Sequence, residues 1–167
     1  MKTEPRPRGD TWRVYVRLSI MAMLLVSCGQ LNQKPADYVK DVTAYKEGSD
    51  GVMIYFILAD ASGAMTTSDG TVTLTITQTR WAVDPHSYQP TEADVFLYTT
   101  NFKVRKSDFQ RTKVGIGAFK RDAILYPVGR ITYSTFDKYP SELTGKVKLW
   151  FQTADGRPLR GEGTVIF

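Results

Sequence analysis

From Tyr38 onward, apolar and polar positions alternate with a period of two almost everywhere along the chain. Between Thr71 and Thr77, Val72, Leu74 and Ile76 fall on one face and Thr73, Thr75 and Thr77 on the other, the pattern of a half-buried strand. Phe96, Tyr98, Phe102 and Val104 share one parity in the next segment, and Val147, Leu149 and Phe151 share one near the end. Val52 to Ala59 is almost continuously apolar and predicts a central strand covered on both sides. Val39 to Lys46, Thr112 to Ile116, Ile124 to Ser134 and Gly163 to Phe167 complete seven or eight predicted strands.

Turn signals separate these runs: Asp60 to Gly63, Ser68-Asp-Gly70, Asp84-Pro85 and Ala154-Asp-Gly156, the last joining two strands as a hairpin. The best helical candidate, Asp137 to Leu143, is interrupted by Pro140. Short strands with Gly, Asp and Pro turns predict an all-β, antiparallel β-sandwich as one domain over 38–167. About 130 residues bury roughly two thirds of their unfolded surface, enough for a core without disulfides.

The first 37 residues follow another logic. Residues 1–17 are polar and cationic, and Leu18 to Val26 is an uncharged apolar run without proline, an n-region followed by an h-region. Nine residues of helix cover roughly 14 Å, half of a hydrocarbon core of about 30 Å, so a cleaved export signal is expected over 1–27. Leu25-Val26-Ser27-Cys28 resembles the lipobox of bacterial lipoprotein signal peptides, and Cys28 is the single cysteine of the chain. The resemblance implies that the Cys28 thiol takes up a diacylglyceryl group, that a small residue before it admits the peptidase, and that Cys28 becomes the acylated N-terminus. The alternative is a buried structural cysteine.

Residues 28–37 then form a lipidated N-terminus and a polar tether, whose coil dimension of roughly 16 Å keeps the domain near the membrane. Gly29 stands where many inner-membrane lipoproteins carry a retaining aspartate, so the expected location is the cell membrane or the outer membrane, on its extracytoplasmic side.

Composition agrees with an ordinary folded domain: 167 residues, 42% hydrophobic and 23% charged. The formal charge of +5 invites a nucleic-acid reading, but Lys2, Arg6, Arg8, Arg13 and Arg17 all lie in the leader. From Cys28 onward 17 cations face 15 anions, so no nucleic-acid partner is expected. One cysteine and one histidine make an internal disulfide impossible and give no basis for a Cys/His metal site, and no cofactor is expected.

Asp50-Gly-Val-Met-Ile-Tyr-Phe-Ile-Leu-Ala-Asp-Ala-Ser-Gly63, Ser68 to Ile76, Leu149 to Gly156 and Gly163 to Phe167 together resemble small immunoglobulin-like or fibronectin type III-like domains of prokaryotic surface lipoproteins. The resemblance implies an extracytoplasmic binding or spacer module of the cell envelope, and it carries over no functional residue. The immunoglobulin cysteine pair is absent.

Candidate chemistry is sparse. His86 lies in a Pro-containing stretch without a nucleophile elbow, so no catalytic residue is assigned. Arg80, Trp81, His86 and Tyr88 gather polar and aromatic groups in a possible binding loop, although Trp81 serves equally as a cap on the core. Asp60, Asp69, Asp84, Asp94 and Asp155 read as turn formers; paired, two of them would give the alternative function, a small carbohydrate-active hydrolase.

Between Lys103 and Arg121, seven cations including Lys103, Arg105, Lys106 and Arg111 face Asp108 alone. This segment is either an edge strand defended by charge or a contact for an anionic surface. The leading expectation is a non-catalytic lipoprotein that binds an envelope protein or surface ligand.

Overall fold

Residues 34–115 and 120–167 are described by the structure, a computed structural model. The leader, the lipobox and Cys28 lie outside the described residues, and Lys34–Phe167 is a compact unit by itself. Among the described residues nine strands follow in order: β1 (Tyr38–Lys46), β2 (Gly51–Ala59), β3 (Met65–Thr66), β4 (Gly70–Val83), β5 (Pro90–Val104), β6 (Gln110–Val114), β7 (Arg121–Thr132), β8 (Thr144–Thr153) and β9 (Pro158–Ile166). The two-residue β3 is the strand that the hydrophobic pattern does not signal. Asp137 to Leu143 forms no helix; the described helical turns are the 3-10 segments Lys106–Asp108 and Tyr133–Thr135.

The strands make two antiparallel sheets, one ordered β1-β2-β7-β6 with β3 added to β2, the other β5-β4-β8-β9. This is a β-sandwich, and its strand order is compatible with an immunoglobulin-like domain. Even-numbered β4 residues Val72, Leu74 and Ile76 are fully buried, facing Val52, Ile54, Phe56 and Leu58 of β2 across the core. At the centre Phe56 stacks on Tyr126 with centroids 5.1 Å apart, and Phe109 meets Tyr126 edge-on at 5.5 Å. Tyr133, Phe136 and Phe167 close the core where β4 and β5 extend beyond it. As the apolar run predicts, β2 is covered on both sides toward its end: Ile57 is buried on the outer face with Ala123 and Leu125.

Two departures from the hydrophobic pattern have local causes. In β5, Tyr98 opposes Ile76 and Phe96 opposes Thr77, so Leu97 is the extra residue of a β-bulge. The bulge turns Leu97 into the core at 0% exposure and leaves Phe96 at 43%, so Phe96 does not share the buried face of Tyr98 and Val104. In β9, pairing begins at Pro158, well before Gly163. Gly161 and Gly163 sit in this strand because β1 crosses it: a Cβ on Gly163 would lie 1.9 Å from the Val42 carbonyl oxygen.

Candidate binding arm and cationic end

β4 and β5 stay paired as far as Val83 and Pro90, whereas β8 leaves β4 after Gln78 and Gly145. The last five residues of β4 and the first five of β5 therefore form a two-stranded arm of roughly 17 Å. Its tip is organised by Asp84, whose carboxylate accepts the His86 amide at 2.9 Å and the Ser87 hydroxyl at 2.8 Å. These bonds, the His86 amide foremost, hold the Asp84 carboxyl below the ordinary carboxylate range. Tyr88 adopts φ +55°, a left-handed conformation uncommon for an aromatic residue, and its amide donates to the Asp84 carbonyl at 2.8 Å.

Trp81 is 66% exposed and Tyr88 81% exposed, so Trp81 does not cap the core. The reason is strand parity: Trp81 falls on the same outward face of β4 as Thr73 and Thr75, and it lies beyond the last β8 partner. Arg80, alternating to the other face, approaches Glu142 at 3.8 Å. The predicted loop is thus a β-hairpin, and its four residues are spread along it rather than converging on one point.

The outer face of the arm continues onto the sheet. Asp94 stands within β5, not in a turn, and pairs with Lys148 at 2.8 Å and Lys146 at 3.3 Å. The Lys148 hydrogen bond lowers the Asp94 pKa, and the same bond raises that of Lys148. Farther along, the Arg160 guanidinium lies 4.2 Å from the centroid of the Trp150 ring, which is 44% exposed beside a shallow depression lined by Thr73, Thr75 and Glu162. Trp150 is legible in the sequence as the residue out of phase with Leu149 and Phe151. Phe96 is not, because the bulge reverses its parity.

Asp60, Asp84 and Asp155 do organise turns, whereas Ser68-Asp69-Gly70 forms none: the Asp69 carboxylate accepts the Lys106 amide, 37 residues on, at 2.8 Å. The Asp60 carboxylate accepts from the Ser62 hydroxyl at 2.6 Å and from the Ser62 and Ala64 amides, and its pKa is lowered, the Ser62 hydroxyl bond first. The Asp155 carboxyl is lowered chiefly by the Thr153 hydroxyl. These shifts run opposite to the raised pKa of a glycosidase general acid. Among the described residues, no group of three or more His, Cys, Asp and Glu is placed to hold a metal ion, and no helix is long and apolar enough to cross a membrane.

At the other end, Lys103 is the penultimate residue of β5, Arg105 follows the strand, and Lys106 opens a 3-10 turn whose Asp108 carboxylate accepts the Arg105 amide at 3.2 Å. Arg111 lies on β6, which pairs with β7 alone and is the edge of its sheet. Arg111 and Lys113 line an open depression with Met65, Asp122 and Ile124.

No protein-family model matches the chain, and no curated protein matches it in sequence. Among solved structures the chain is similar to wild-type OgpA from Akkermansia muciniphila, at 12% identity and a TM-score of 0.35. The likeness covers 81% of this chain and spans only 28% of that one, and it carries no functional argument.

Proposed function

We propose that the protein is a lipid-anchored, extracytoplasmic lipoprotein with an immunoglobulin-like sandwich, a non-catalytic module of the cell envelope that meets an envelope protein or surface ligand through the β4–β5 arm. The observation that carries this reading is the arm itself. It projects Trp81, Val83 and Tyr88, all more than 60% exposed, although none of them supports the core. Apolar side chains gathered on a projecting hairpin favour contact with a partner over exposure to water. Strand pairing and the Asp84 turn fix the arm's backbone in advance, which lowers the ordering cost of such a contact.

A photo-crosslinking residue placed at Trp81 or Tyr88 in growing cells should give one discrete adduct, and the same residue at Thr164, on the body of the sheet, should give none. Equal patterns at the three positions would reject the arm as the contact. Labelled fatty acid should mark the wild type and not Cys28→Ser, which reports the anchor separately.

A further inference from the structure

The described unit begins at Lys34, and hydrogen bonds fix what surrounds that point. The Lys34 carbonyl accepts the Thr66 hydroxyl at 2.7 Å, and the neighbouring Met65 sulfur lies 3.4 Å from the Ile124 amide, which donates to it. Ile124 is the ladder partner of Arg111, and Met65, Arg111 and Lys113 border one depression.

On the other side, Asp37 accepts Arg157 at 2.9 Å, and Arg157 also binds Asp155 in the β8–β9 turn. The Ala154 amide of that turn donates to the Asp69 carbonyl, and the Asp69 carboxylate accepts the Lys106 amide at 2.8 Å. Lys103 and Arg105 border a concavity with Ala154 and Gly156. The start of the unit and both parts of the cationic segment therefore share one end of the sandwich.

The acids at this end are largely occupied. Asp37 and Asp155 share Arg157, Asp69 and Asp108 accept backbone amides, and Asp60 binds within its own turn. Asp122 stands across from Lys113 in the β6–β7 ladder. Among the described residues Lys103, Arg105, Lys106, Arg111 and Lys113 form no ion pair. Cys28 is six residues before Lys34, a reach of at most about 20 Å.

We infer that this cationic end is a contact surface for the anionic headgroups of the membrane that holds the anchor, and that it sets the sandwich with the β4–β5 arm pointing away from the bilayer. The inference rests on Cys28 as the anchor. β4 runs from Gly70 at the cationic end to Val83 on the arm, about 40 Å of strand against a Debye length of about 8–10 Å. The arm is thereby held beyond the headgroup field, where a partner can reach it.

Two tryptophans report this orientation, because Trp150 opposes Thr73 near the cationic end whereas Trp81 is on the arm, roughly 27 Å farther along β4. The chain from Cys28 to Phe167, which contains the whole compact unit, is coupled through its single thiol to a maleimide lipid in vesicles carrying a dansyl headgroup acceptor. Trp81→Phe leaves Trp150 as the donor, and Trp150→Phe leaves Trp81. On phosphatidylglycerol-rich vesicles, energy transfer from Trp150 should exceed that from Trp81. The gap should shrink on phosphatidylcholine, in high salt and in the combined Arg105→Glu, Arg111→Glu, Lys113→Glu variant.

Equal transfer from both donors, or a gap indifferent to lipid charge and salt, would overturn the inference and leave the cations as an edge defence. The lipid and salt comparisons keep these cations intact, so they decide the matter even if the triple variant misfolds. Coupling is chemical, so failure here is distinct from failure of Cys28 to be acylated in cells.

Discussion

Arg157 and Asp37, 120 residues apart in the chain, meet at 2.9 Å, with the arginine Nη1 donating to the aspartate Oδ1. The second Asp37 oxygen accepts the Ala61 amide at 2.7 Å, so one carboxylate joins the start of the unit to two turns. Arg157→Ala should leave the sandwich folded while hydrogen exchange quickens at the Asp37 and Ala61 amides. Unchanged exchange at both would show that the pair does not hold this end together.

The core makes a paired prediction. Leu74 is fully buried, and its neighbour Thr75 faces outward with its hydroxyl 3.3 Å from that of Thr99. Leu74→Ala should destabilise the domain by about 2–5 kcal/mol through lost burial and a residual cavity. Thr75→Ala should cost well under half as much, and equal costs in denaturant titrations would contradict the assigned faces.

Two glycines separate close approach from backbone conformation. At Gly163 an added methyl collides with the Val42 backbone, which cannot rotate away as a side chain would. At Gly156 there is open space but φ is +86°, where an L-residue costs about 1–2 kcal/mol. Gly163→Ala should therefore lower the thermal midpoint more than Gly156→Ala, and should also remove exchange protection from β1.

Acid should weaken the fold through its turns. The Asp60 and Asp155 carboxyls titrate below their ordinary value when folded, each held ionised first by a neighbouring hydroxyl. A depressed folded pKa gives stability that is present above the unfolded value of about 4 and is lost as pH falls through the folded one. Denaturant midpoints measured from neutral pH downward should drop in that window, and Asp60→Asn should flatten the drop while lowering the neutral plateau. A slope identical to wild type would remove Asp60 from the account.

The inward face of β4 is plain in the sequence because threonine alternates with Val72, Leu74 and Ile76 without interruption. The hairpin at Ala154 to Gly156 is equally plain, since Asp-Gly supplies the left-handed residue such a turn requires, and Gly156 adopts it. Leu97 is hidden because a bulge costs one residue of register, and nothing in Val95 to Tyr98 marks where it falls. The strand expected from Gly163 begins earlier, at Pro158, and only the crossing of β1, brought there by tertiary contact, explains why it carries Gly161 and Gly163.

The same reasoning separates the parts of the candidate surface. The Asp84-Pro85 turn and the exposed aromatic beyond it are local and legible. Trp81 shares the outward parity of Thr73 and Thr75, which the alternation shows, but that it stands on an arm depends on where β8 stops, which β4 does not encode. The neighbourhood of Lys34 and Lys106 emerges only when turns from distant parts of the chain are brought together.

The crossing of β1 over β9 also governs how copies of this molecule meet. Each is the border strand of its sheet, and because they lie against one another neither offers a free row of amides and carbonyls to a neighbour. Sheet-to-sheet growth is left the opposite flank, β5 and β6, and a second copy approaching β6 would bring Arg111 and Lys113 against their own counterparts. One flank is closed by the contact of β1 with β9, and the β6 border of the other sets like charges against like, which disfavours growth through that strand.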